Sequence, residues 1–252
     1  MRLAHDDGWN MPADRPFYPP LPAYYRNVRI QLVFFRADPE SLRQILPEPL
    51  QPAADGLCVA SGLVVPFCSN YGPFQEAFVQ QKCSFRGEVG WYCSHVFHDG
   101  PCGIAAGREI YGTPKIFSSL EVSEAERTMK TTARLAEVPV VTVASTMEAQ
   151  CRADELPALA PSWRLKIIPR ADGPGPAIKQ LIEGSAAAQE QQVHVAFKGR
   201  GTVSFDPSPL CDLTALQPRE LLDAFYLESS YCEGFAKIVY DYLADRHTAA
   251  GI

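Results

Sequence analysis

The chain of 252 residues suits one large domain or two small ones, and at 46% hydrophobic and 21% charged it has the composition of a globular protein with a sizeable core. Its formal net charge of −6, with no basic run, excludes the electrostatic footprint of a nucleic-acid binder and offers anionic membranes no attraction. No apolar stretch approaches the ~18 residues of a transmembrane helix.

Residues 1–20, MRLAHDDGWNMPADRPFYPP, lack the apolar centre of a signal peptide and carry acids where basic residues belong. The eight cysteines form no CxxC pair and several lie in hydrophobic stretches such as LCVASGLVVPFC. They are expected as reduced thiols of a cytoplasmic protein. Residues 1–25 are expected to form an extended, proline-rich arm on the body or on a neighbouring subunit.

From Arg26, VRIQLVFFRA is β-branched and aromatic, the chemistry of a strand. A helix follows: Asp38 caps it, Pro39 suits its first position, Leu42, Ile45 and Leu46 share a face, and Pro47 stops it. Short strand-like runs then alternate with turns: LCVASGLVVPF, FVQQKCSF, VGWYCSHVFH, GIAAGREIY, IFSSLEV, TMKTTARLA, PVVTVASTME, WRLKIIP and QQVHVAFKGRGTVSF. AFYLESSYC is a weaker strand signal, a second helix is expected over Pro218 to Tyr226, and residues 178–188 are ambiguous. Many short strands between turns predict a mostly β protein, an antiparallel barrel or sandwich with a few helices. LPALAPS, near residue 157, resembles a linker, but strand chemistry resumes at once beyond it, so a single domain over 1–252 is expected.

Familiar catalytic and binding motifs are missing from this pattern. Cys93-Ser-His95-x-x-His98 puts Cys93 and His95 on one face of a strand and His98 on the other, and the intervals do not suit zinc, so no metal is assigned. The Gly199-Arg200-Gly201 and Gly173-Pro174-Gly175 turns lack the strand-to-helix setting of a phosphate loop. Gly-x-Ser-x-Gly is absent.

GREIYGTPKIF, residues 107–117, is different. A lone lysine is ordinarily solvated surface, but Lys115 follows a Gly-Thr-Pro turn, with Ile104, Ala105 and Ala106 before it and Ile116 and Phe117 after it. An amine enclosed by such neighbours loses hydration, which favours its neutral, nucleophilic form.

GREIYGTPK resembles the lysine motif of the acetoacetate decarboxylase superfamily, in which the lysine after a proline forms an imine with a keto acid. LRQILPEPLQP, LKIIPRADG, QQVHVAFKGRGTVSF and IVYDYL resemble further landmarks of that family, in order, from about Arg26 to Leu243. The resemblance implies a cone-like antiparallel β-barrel with flanking helices (α+β, mostly β), assembled as a homo-oligomer and working without a cofactor. It implies Lys115 as the imine-forming lysine and Glu76 as the acid beside it. Tyr111 falls where divergent members carry a polar group, and is a candidate proton donor or an ordinary aromatic core residue. Arg108 and Glu109 match the motif's Arg-Glu pair, as substrate contacts or as a structural ion pair.

Three departures stand out. The second lysine of acetoacetate decarboxylases is Ile116 here, so Ile116 becomes a pocket-shaping candidate. The substrate-carboxylate arginine aligns with Val28, leaving Arg26 and Arg29 as nearby candidates whose direction strand alternation decides. A further family glutamate falls at Ser61. Tyr231 and Glu228 are additional candidates, although alternation allows only one of them to face a pocket.

Three functions follow. The first is a lyase using Lys115 as a Schiff-base nucleophile on a keto acid or ketone, by decarboxylation of a β-keto acid or by aldol and dehydration chemistry. Ile116 and Val28 suggest a larger or more apolar substrate than acetoacetate, of the kind met in specialised metabolism. The second is a non-covalent cyclase or isomerase with Tyr111 and Glu76 as acid and base. The third is a non-catalytic small-molecule-binding homologue.

Overall fold

The computed structural model describes residues 4–244. Strand β1 (Ala23–Arg36) leads to helix α1 (Pro39–Arg43), then β2 (Gln51–Pro52), β3 (Leu57–Val65), β4 (Phe67–Cys68), β5 (Phe74–Phe85) and β6 (Glu88–His98). Helix α2 (Pro101–Ala106) runs directly into a π-turn (Gly107–Tyr111). After it come β7 (Lys115–Phe117), β8 (Ser119–Ala125), β9 (Thr128–Leu135), β10 (Val138–Thr146) and β11 (Ala149–Gln150). The remaining strands are β12 (Ser162–Pro169), β13 (Pro176–Glu183), β14 (Ala188–Ser204), β15 (Glu220–Glu233) and β16 (Lys237–Asp241).

The architecture is mostly β, as the strand pattern predicts. The main hydrogen-bonded path is β16-β13-β12-β6-β5-β3-β1-β15-β14-β10-β9-β8 and does not return on itself. Two pairings break the antiparallel pattern: β12 and β7 both run parallel to β6. Inward residues of the central strands (Val33, Phe35, Ala60, Phe97) pack with Leu42 of α1 and with Val141 and Leu216 into the largest core cluster. No helix among the described residues is long and apolar enough to cross a membrane.

Asp38 caps α1 by accepting from Ser41 N, and Pro39 opens it, although the helix ends at Arg43, before Ile45 and Leu46. Two expectations need correction. GIAAGREIY is not a strand but α2 and the π-turn. Pro101 occupies the first helical turn, and the run is rich in Gly and Ala, which are poor strand formers. The helix expected from Pro218 is β15, which pairs with both β1 and β14. Its aromatic and aliphatic run is stabilised by two neighbouring strands, which local propensity does not register. Residues 4–22 form no helix or strand and lie against the body, where Tyr18 is buried and Trp9 meets Phe235 edge-on.

Candidate active site

The motif's local structure explains why its glycines are there. A Cβ on Gly107 would lie 2.8 Å from both Cδ and Cε of Lys115, so the lysine stem needs the bare backbone of the π-turn beside it. Gly112 ends the π-turn with a left-handed φ of 67°, a conformation that L side chains resist, and passes close to the Lys166 backbone. The chain then enters β7, with Lys115 opposite Val96 and Ile116 opposite Phe97 of β6. Alternation turns Lys115 into a cavity and Ile116 into the main core cluster.

Glu76 reaches the same cavity from β5. Its Oε2 is 2.9 Å from Lys115 Nζ, and both side chains are 13% exposed. Lys115 Nζ also lies 5.5 Å from the centre of the Phe74 ring, which stacks on His98 at 4.3 Å. His98 is fully buried, and burial, with Lys115's charge adding to it, pushes its imidazole down to about 2. Its Nδ1 accepts from Gly100 N at 2.8 Å, which assigns the proton to Nε2, 3.8 Å from Glu76 Oε2.

The cavity measures about 220 Å³ and is walled by Tyr25, Tyr71, Phe74, Tyr111 and Tyr231, with Glu76, Gln80, Cys93, Lys115, Arg164 and Glu233 supplying polar atoms. Tyr25 stacks on Tyr231 at 4.6 Å and donates to Glu233 Oε2 at 2.8 Å. Glu233 is partly exposed as a residue, but its carboxyl is enclosed, and burial raises it above the usual carboxylate range against the pull of Tyr25, Lys115 and Arg164. Burial pushes the Cys93 thiol up to about 11, so it stays protonated at neutral pH.

Of the residues singled out from the sequence, Lys115, Glu76, Tyr111 and Tyr231 meet in this cavity. Tyr111 is committed within it: its hydroxyl donates to Gly234 O at 2.7 Å, and burial, with Glu233's charge adding to it, pushes the phenol well up. The other six candidates do not line the cavity. Alternation sends Ile116 into the core. A bulge in β1 around Asn27, with φ of 53°, leaves Tyr25 and Val28 facing inward. Arg29 points out to pair with Glu124 at 2.8 Å, and Arg26 donates to the Tyr25 and Tyr231 carbonyls on the surface. Arg108 is exposed and donates to the Lys115 carbonyl at 3.1 Å, bracing the lysine's backbone. Glu228 faces away from Tyr231 and accepts from Tyr226. Glu109 takes the Tyr18 hydroxyl at 2.6 Å, tying the arm to the π-turn, so the expected Arg-Glu pair is divided between two partners.

Sequence reasoning missed Arg164, Glu233 and His98. His98 stands in a sequence pattern whose only chemical signal is zinc-like, Glu233 closes a strand of weak signal, and Arg164 sits in an ordinary-looking amphipathic run.

The acetoacetate decarboxylase (ADC) family model matches residues 10–243. The chain belongs to the acetoacetate decarboxylase family. "Acetoacetate decarboxylase 1" of Mesorhizobium japonicum is 31% identical over 241 residues, covering 93% of this chain and 94% of the relative. "Acetoacetate decarboxylase" of Chromobacterium violaceum is 29% identical over 236 residues, covering 92% and 94%. The crystal structure of the Legionella pneumophila acetoacetate decarboxylase shares the fold, with a TM-score of 0.85 at 22% identity, covering 96% of this chain and 100% of that one. At this level the chain is an acetoacetate decarboxylase-like enzyme of lyase type.

Proposed function

We propose that the chain is a Schiff-base lyase of small keto acids, with Lys115 as nucleophile and Glu76 as the group that takes and returns its proton. The observation that carries this reading is the 2.9 Å contact between Lys115 Nζ and Glu76 Oε2 inside a small cavity. Proton transfer from ammonium to carboxylate leaves a neutral amine to add to the keto carbon. The carbinolamine hydroxyl then leaves as water, with a proton returned by Glu76, and the iminium nitrogen becomes an electron sink. In a β-keto acid the bond to the carboxylate breaks, CO2 departs, and the electron pair passes into an enamine. Protonation of the enamine carbon and hydrolysis release the ketone and free Lys115. Where an aldehyde is present, the same enamine adds to it, and loss of water completes an aldol-dehydration.

The size and lining of the cavity support a small, anionic substrate over the larger, apolar one that Ile116 and Val28 suggest in the sequence. Both of those side chains are spent on core packing. About 220 Å³ lies below the ~300–1,000 Å³ typical of drug-sized ligands. The non-covalent reading relied on Tyr111 as its acid, and the Gly234 carbonyl already holds that proton.

The test is borohydride reduction in the presence of acetoacetate or pyruvate, followed by peptide mass mapping. The expected adduct is on Lys115, absent in Lys115→Ala and in Lys115→Arg. Turnover that survives Lys115→Ala would overturn the imine route.

A further inference from the structure

Arg164 enters the cavity from β12, on the far side of β6 from β5 and Glu76. Its Nε is buried without a hydrogen-bond partner. Among the described residues no carboxylate comes within ion-pairing distance of its guanidinium, although Arg26, Arg29 and other surface cations are engaged. The Cys93 thiol is its close polar neighbour, and that thiol is uncharged at neutral pH. The space is also built for this side chain. A Cβ on Gly184 would fall 1.2 Å from Arg164 Nη1, so the guanidinium fills the room that any other residue at 184 would take. The carboxyl that feels its charge is Glu233, outside ion-pairing distance and already accepting from Tyr25, and a partly buried guanidinium with unused donors is costly to a fold. Arg164 lines the cavity, so this donor capacity is open to an anion that enters it.

We propose that Arg164 is the carboxylate-binding residue of this pocket, gripping the carboxylate of a small oxo acid while Lys115 takes its keto carbon. This rests on the imine reading for the role of Lys115, but the anion site itself does not. It assigns to β12 a task that the sequence comparison placed on β1, where Val28 is core and the adjacent arginines face outward. A guanidinium suits it because its planar fork matches both carboxylate oxygens. Lys115 is ion-paired with Glu76 at 2.9 Å, whereas among the described residues Arg164 makes no ion pair and keeps Nε unpartnered, so Arg164 is the cation with donors to spare for the substrate.

The experiment compares carboxylates with neutral amides of nearly the same shape: pyruvate with pyruvamide, and acetoacetate with acetoacetamide. Half-maximal concentrations for borohydride-trapped adduct on Lys115, and direct calorimetric binding, are measured for the unaltered chain, Arg164→Gln, Arg164→Lys and Gly184→Ala. The unaltered chain is expected to favour each carboxylate over its amide. Arg164→Gln should weaken carboxylates about 10- to 100-fold while leaving amides nearly unchanged. Arg164→Lys should recover part of the preference. Gly184→Ala, which displaces the guanidinium without removing charge, should lose part of it. Equal weakening of acid and amide, or an unchanged preference in Arg164→Gln, overturns the assignment. If Arg164→Gln does not fold, judged by its thermal transition, Arg164→Lys and Gly184→Ala decide on the same criterion. Absence of any Lys115 adduct in the unaltered chain would defeat the imine reading alone; calorimetry would still uphold or overturn Arg164.

Discussion

Lys115 Nζ and Glu76 Oε2 stand 2.9 Å apart, although they come from strands that do not pair with each other. Strand β6 lies between them: Glu76 is opposite His98 on one side, and Lys115 is opposite Val96 on the other. His98 and Val96 are two residues apart, so Glu76 and Lys115 share one face of the sheet and meet across β6 in the cavity. Because the carboxylate is the group in reach of the lysine's proton, Glu76→Gln should slow imine formation about 100- to 1,000-fold with the fold intact. Single-turnover trapping with pyruvate measures it. A loss below tenfold would remove Glu76 from the proton-transfer role.

Gly107 gives a separate handle on the lysine. A Cβ there would crowd Cδ and Cε at 2.8 Å, and the flexible stem would move before the backbone did. Gly107→Ala is therefore expected to cost little stability but to lower adduct formation about 100-fold by misplacing the amine. Gly173→Ala, at a turn where a Cβ meets nothing within 4 Å, should leave adduct formation unchanged. Thermal unfolding and trapping on the two variants separate the effects.

Tyr111→Phe removes the hydroxyl that Gly234 O accepts, at the point where β15 leaves the pocket wall. The expected loss is about 1–2 kcal/mol of stability, from one hydrogen bond and an unsatisfied carbonyl. Imine formation should fall less than about tenfold, since the phenol's proton is already engaged. A loss of about 100-fold without destabilisation would restore Tyr111 as a catalytic acid. Urea unfolding and single-turnover trapping on the same preparation distinguish the two.

How much of this was legible in the sequence depends on how far apart the interacting residues lie. Lys115 carries its own setting, a turn and apolar neighbours within a few residues, and Glu76 followed from the family resemblance. Tyr231 and Glu228 were separable because period-two alternation is local. Arg26 and Arg29 were not, because a bulge at Asn27 resets the alternation of β1, and nothing in YYRNVRI announces a left-handed residue. Arg164 was hidden for another reason. SWRLKIIP reads as an exposed amphipathic strand until the parallel pairing of Ser162 and Trp163 with Trp91 and Tyr92 brings its start beside the cavity. The GIAAGREIY segment failed on composition: its apolar residues read as a strand, while Pro101 and the small residues around it favoured a helix.

The two histidines of β6 predict how the fold responds to acid. Burial pushes His95 down from its ordinary 6.5 to about 4, and burial with Lys115's charge pushes His98 down to about 2. Both are therefore neutral in the folded protein at pH 5, where the unfolded chain would have protonated them. The unfolded state then binds more protons, so stability falls as pH drops below 6.5, and the loss continues towards about 4 for His95 and about 2 for His98. At pH 5 each histidine should cost about 2 kcal/mol relative to pH 7.5. Glu233 works in the opposite sense. Burial raises its carboxyl above the ordinary 4.5, so the folded state keeps that proton longer, and its contribution is lost as pH rises. Urea unfolding midpoints between pH 7.5 and 4.5 should therefore decline with acidification in the unaltered chain. His95→Gln should flatten that slope by about half, and His98→Gln by a similar amount, because glutamine has no proton to gain in the unfolded state. His98→Gln should also lower stability at pH 7.5, since the ring stacks on Phe74 and accepts from Gly100 N. A slope unchanged in both variants would place the acid sensitivity elsewhere in the chain.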